Sequence, residues 1–153
     1  MSSCSMALAA RNIQLPFFCQ MKDANPGTFN AWLRLNKGYV DYNNLDEDAM
    51  NQIQGVQYVG RFEPASNISH AQLHTWLLDP VHVVIANVMR GRHFVLVQGW
   101  NPADFDQLYV NDPGFNHTSY SYNRDVVGWR VFTMQPQLAL APLVADARDS
   151  DDE

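Results

Sequence analysis

Three residues of this sequence carry side chains suited to nucleophilic chemistry. They are Cys4 in "SCSMALAARN", His93 at the head of "HFVLVQGW", and Asp112 at the close of "LYVNDPG". A thiol at the start of a helix feels the positive end of the helix dipole, which favours thiolate. An imidazole can take the thiol proton, and a carboxylate can fix the imidazole tautomer and stabilise imidazolium. Each residue also has a plainer use. A free cysteine is often a small core residue, a histidine opening an apolar strand is commonly a satisfied edge residue, and Asp-Pro-Gly forms a turn unaided.

The elements that must position these residues can be read from periodicity. Residues 3–12 are helix formers with Met6, Ala9 and Ala10 on one face, which puts Cys4 in the first turn. A loop with Pro16, Phe17 and Phe18 follows. "NPGTFNAWLRLNKG" reads as a second helix, with Asn25 as cap, Pro26 at the first helical position and Gly38 as stop. Further helices are expected near 46–54 and at 69–79, the latter capped by Ser69, striped by Leu73, Trp76 and Leu77, and ended by Pro80. From there the pattern is strands: 81–88, 93–100, 106–111 and 128–134. Helices followed by an antiparallel meander make an α+β plan. Antiparallel pairing of 93–100 with 106–111 around "NPADF" would bring His93 and Asp112 to the same end of one hairpin.

Bulk properties narrow the function. The 153 residues suffice for one domain with a buried core. Hydrophobic residues make up 46% and charged residues 17%, the balance of a folded soluble chain. Of the net charge of −6, most belongs to the tail "DARDSDDE", so the body is nearly neutral and lacks the basic face that nucleic acid requires. The expected organisation is a domain at 1–135 and an acidic, flexible tail at 136–153. No apolar run reaches the ~20 residues of a membrane span, and no signal peptide is visible, so a cytoplasmic setting is expected. Cys4 and Cys19 are too few for a disulfide framework. His70 and His74 lie four apart on a helix, but no third ligand accompanies them; a solvated helix face is expected, with no metal and no cofactor.

The ordered pieces "SCSMALAARNI", "NPGTFNAWLRLNKGYV", "PVHVVIANVMRGRHFVLVQGW" and "LYVNDPG" resemble the bacteriocin-processing (double-glycine) branch of the papain-like cysteine peptidases. That group shows a cysteine leading a helix, a Pro-x-x-Leu-Asn-x-Trp-Leu helix with Gly-Tyr after it, a Pro-Val-Ile-Val strand, a Gly-His-Phe-Val strand and an Asn-Asp-Pro-Gly turn. The likeness spans roughly residues 3–133. It implies a papain-like fold, with Cys4 as nucleophile, His93 as general base, Asp112 as orienting carboxylate and the Cys4 N–H as one oxyanion donor. The implied substrate is a peptide or protein.

The sequence also departs from that pattern. Such enzymes place a glutamine several residues before the cysteine as second oxyanion donor, and Met1-Ser2-Ser3 supply none. Loss of one such donor costs ~10²–10³ in rate. Ser3 stands where glycine is usual, and Arg92 directly precedes the histidine, with Gly91 adjacent. Two functions therefore follow: a Cys-His-Asp hydrolase acting on a peptide-type bond, or a catalytically weakened or inactive papain-like module serving as a protein-binding part of a larger assembly. Phe17, Phe18, Tyr120 and Tyr122 are the aromatic residues expected to offer a contact surface for the second.

Overall fold

The computed structural model describes residues 1–16 and 24–136. Phe17, Phe18 and Cys19, and the expected acidic tail from residue 137 onward, lie outside the described residues. In chain order the elements are α1 (Ser2–Ala10), α2 (Pro26–Leu35), a short hairpin of β1 (Tyr39–Val40) and β2 (Asn44–Leu45), and a 3₁₀ turn (Glu47–Gln52). Next come β3 (Val56–Phe62), a second 3₁₀ turn (Ala65–Asn67), α3 (His70–Leu78), β4 (His82–Val88) and β5 (His93–Asn101). The last are β6 (Asp104–Asn111), β7 (Ser119–Ser121), α4 (Tyr122–Asp125) and β8 (Gly128–Met134).

The local signals act through specific bonds. The Asn25 side chain accepts from the Thr28 N–H at 3.0 Å, with Pro26 in the first turn, so α2 starts where its cap is. Ser69 caps α3 in the same way through the Gln72 N–H, at 3.1 Å. Gly38 closes α2 for want of room. Its N–H bonds the Leu33 carbonyl at 2.7 Å, and a Cβ there would fall 2.3 Å from Leu33 Cδ2.

Six strands form one antiparallel sheet in the order β3-β8-β4-β5-β6-β7. The architecture is thus α+β, helices packed on an antiparallel sheet. The four expected strands are present, but they do not form a simple meander: β8 returns to insert between β4 and β3. The 56–62 strand, the small hairpin and β7 were not expected. "VQYVGRF" alternates in burial at every residue, but its residue types hide the period, with Val59 on the exposed side and Gly60 on the half-buried one, and three-residue β7 is too short to carry a period.

The sheet is covered on both faces. One cluster joins Leu8, Phe29, Leu33 and Met50 to Val83, Ile85, Leu96 and Phe132. The other joins Leu73 to Val84, Ala86, Val95, Val97, Trp129 and Val131. β4 is buried on both sides from Val83 to Val88, which is why "VVIANV" is a run and not an alternation. Successive residues of one strand therefore belong to different cores. This parity decides what can meet at the site.

Candidate active site

His93 opens β5 and Asp112 follows β6, and the structure brings them together. His93 Nε2 lies 2.7 Å from Asp112 Oδ1. The strand register explains the meeting. Leu96 pairs with Asn111 and Val97 with Val110; carried onward, the same register sets residue 112 opposite 95 and residue 114 opposite 93. Asp112 is then the diagonal neighbour of His93 on one face. Gly114 lies flush against the imidazole, where a Cβ would stand 3.0 Å from His93 Cε1. The glycine of "DPG" is a spacer for the ring.

Asp112 is held by four donors. Oδ1 accepts from His93 Nε2–H, from the Gly114 N–H at 2.9 Å and from the Phe115 N–H at 3.0 Å; Oδ2 accepts from the Tyr120 hydroxyl at 2.7 Å. The side chain is 0% exposed. Burial pushes the carboxyl up, yet the four bonds, led by Tyr120, outweigh it and hold the pKa at about 2. An ionised carboxylate only accepts, so Nε2 of the neutral His93 ring carries the proton. Nδ1 is left with a free lone pair and has no hydrogen bond among the described residues. The imidazole thus has a fixed tautomer and is 16% exposed.

A cleft of about 280 Å³ opens beside it, lined by Met1, Ser2, Ser3, Arg92, His93, Phe94, Pro113 and Gly114. The start of α1 thus forms one wall and the Asp-Pro-Gly turn the other. The Ser3 hydroxyl donates to the Phe94 carbonyl at 2.8 Å and ties the helix start to β5.

Cys4 is at this helix start but does not face the cleft. It is 3% exposed and packs with Ala7 and Leu8 in the cluster that holds Phe29 and Leu33. Phe94 and Leu96 of β5 reach that same cluster, while Val95 and Val97 reach the other. By parity His93 sits on the Val95 side of the sheet. No hydrogen bond joins Cys4 to His93 among the described residues. Burial pushes the thiol up to about 11, against a small opposing pull from the Met1 ammonium. Turning residue 4 into the place of residue 3 needs ~100° of helix rotation, which would take Ala7 and Leu8, both 0% exposed, out of the core.

Cys4 lines instead a cavity of about 560 Å³ that also meets Glu47, Asn87 and Arg130 and shares Met1, Ser3 and Phe94 with the cleft beside His93. The Arg130 guanidinium there bonds Glu47 at 2.6 Å and Glu63 at 3.0 Å, and Asn87 Oδ1 is buried with no partner. No trio of metal-binding side chains occurs among the described residues. No helix among them is long and apolar enough to cross a membrane.

Two expectations change. Tyr120 and Tyr122 do not offer a contact surface; both are buried, and their hydroxyls bond Asp112 and the Ile68 carbonyl respectively. Nor do His70 and His74 form a solvated face. His74 stacks on Trp100 at 3.8 Å between centroids, and His70 packs against Tyr122 at 4.2 Å. Sequence reasoning also missed His117, whose Nδ1 lies 2.7 Å from the Tyr120 hydroxyl. The one hint was a second histidine five residues past Asp112 in a polar loop, which is a weak signal. No family model, curated protein or solved structure matches the chain.

Proposed function

We propose that this chain is a papain-like module of the cysteine-peptidase type, weakened in catalysis, that takes a peptide segment into the cleft beside His93. The observation that carries the reading is the His93–Asp112 pair: a base with its tautomer fixed, at an open cleft walled by a helix start. The ordered resemblance of the four sequence pieces supports the fold and the peptide-type substrate. In such a site the thiol proton passes to His93 Nδ1 and the thiolate attacks the carbonyl carbon. His93 returns the proton to the leaving amine, and water hydrolyses the thioester. The position of Cys4 withholds the first step, because the residue is 3% exposed, does not line the cleft beside His93, and has its thiol raised to about 11.

A second reading is full Cys4-dependent hydrolysis after the first turn of α1 rearranges. It is favoured by the care with which Asp112 is held, since a binding surface alone has no need of a buried, ionised carboxylate behind an imidazole. Alkylation by iodoacetamide, followed against pH, separates the two. With its thiol at about 11 instead of the ordinary 9.0, Cys4 holds about a hundredfold less thiolate at pH 7 than an ordinary cysteine, and burial slows it further. The first reading expects that slow rate, no change on His93→Ala, and peptide binding that survives Cys4→Ala. Fast alkylation at pH 6 that is lost on His93→Ala overturns it in favour of the second.

A further inference from the structure

Asp112 has a second imidazole behind it. Tyr120, buried on β7, gives its hydroxyl proton to Asp112 Oδ2 at 2.7 Å, and His117 Nδ1 stands 2.7 Å from the same hydroxyl. The carboxylate can only accept, so the Tyr120 proton points to Asp112 and the tyrosine oxygen must accept from His117 Nδ1–H. A neutral His117 is thereby fixed with Nε2 as its basic nitrogen. The His117 side chain is 51% exposed, so Nε2 can exchange protons with solvent, and Nδ1 lies 4.0 Å from Asp112 Oδ2. Two imidazoles therefore face one carboxylate, His93 directly and His117 through Tyr120.

We infer that Tyr120 is a positioning residue for the His93–Asp112 pair and that His117 is a proton-sensitive partner coupled to His93 through it. The inference rests on reading that pair as the site's base. Protonation of His117 at Nε2 strengthens its bond to Tyr120 and sets a positive charge beside Asp112. The carboxylate then has less left to offer a His93 imidazolium. Whichever ring takes a proton first therefore leaves the shared carboxylate with less to offer the other. The coupling is reciprocal, as all binding linkage is.

The groups facing His117 fit this role. From the turn after β6 comes Asp112; from β7, Tyr120, whose own hydroxyl ionisation is pushed up by burial and by the Asp112 bond. From α4 comes Asp125, whose carboxyl is drawn down mainly by the Arg124 bond and feels His117 as well. Phe115 packs edge-on to His93 and stacks on His117, and so fills the space between the rings.

The test is an NMR titration of the ring resonances of His93 and His117 in the full chain. His117→Gln is expected to move the pH midpoint of the His93 signals upward by about half a unit, the range of a partly exposed charge pair. His93→Gln should move the His117 midpoint upward by the same amount. In a Tyr120→Phe background the effect of His117→Gln should shrink at least twofold, because the bridging hydroxyl is gone. A His93 midpoint that ignores His117→Gln overturns the inference, as does an effect of equal size with and without the Tyr120 hydroxyl. His117 is exposed, so His117→Gln tests the coupling even where Tyr120→Phe unfolds the chain. Because the readout needs neither turnover nor Cys4, it can fail while the alkylation result stands, and the reverse.

Discussion

Replacing Asp112 by Asn should change how stability depends on pH in a calculable way. The carboxyl is fully covered and held at about 2 against an ordinary 3.8. A difference of nearly two pH units at 1.36 kcal/mol each makes the ionised group contribute about 2.5 kcal/mol to folding. The sign follows from the depression: the contribution is complete well above the unfolded value and is lost as pH falls through the folded one. Integrating the linkage, about 1 kcal/mol is gone by pH 3 and about 2 kcal/mol by pH 2. Asn cannot titrate, and its amide nitrogen meets the Tyr120 hydroxyl or the 114–115 N–H groups with the wrong polarity, so the variant starts lower at pH 6. Urea unfolding of both chains from pH 6 to pH 2 measures the gap, which should narrow by about 2 kcal/mol toward acid. A gap that stays constant to within 0.5 kcal/mol across that range would show that Asp112 is not the buried ion described here, and the fixed His93 tautomer would go with it.

Gly114→Ala puts a methyl 3.0 Å from His93 Cε1. The ring must tilt, at about 1 kcal/mol or less in stability, and the ¹⁵N resonances of His93 should lose the pattern of a protonated Nε2; unchanged resonances would refute the close packing. Arg130→Met removes a guanidinium that is 6% exposed and bonds both Glu47 and Glu63. Since those partners are 21% and 35% exposed, the expected loss is about 2 kcal/mol, less than the ~3–5 of a fully buried pair. Thermal unfolding checks it, and a neutral result would mean that solvent already carries the two carboxylates.

The parts of the fold legible in the sequence are those whose cause is local. Asn25 and Ser69 cap helices through bonds that span three residues, and the β5–β6 hairpin fixes its own register, so the approach of Asp112 to His93 could be argued from spacing alone. What stayed hidden depends on distant partners. β8 slides between β4 and β3 through pairings between residues far apart in the chain, such as Ala86 with Trp129 and Tyr58 with Phe132, and no local pattern dictates that insertion. Tyr120 reads as an exposed aromatic until the strand that carries it is laid beside β6, where its hydroxyl donates to Asp112 Oδ2 at 2.7 Å. Residues 70 and 74 likewise read as a polar helix face because Trp100, the surface that covers His74, lies on another element.

Cys4 shows how a local rule and the tertiary surroundings can act on one thiol in opposite directions. A helix start favours thiolate by ~0.3–1 kcal/mol. Burial works the other way and is larger: the rise from 9.0 to about 11 amounts to about 2.7 kcal/mol against the charged form. The helical stripe explains the burial, because residue 4 shares its face with Ala7 and Leu8, the two side chains of α1 that are sealed completely. A residue cannot both anchor that stripe and face a cleft ~100° around the helix. Ser2 and Ser3, not Cys4, occupy the angular sector that looks toward His93. Position along the helix and angle around it are separate requirements for a nucleophile, and this chain meets the first with Cys4 while giving the second to its neighbours.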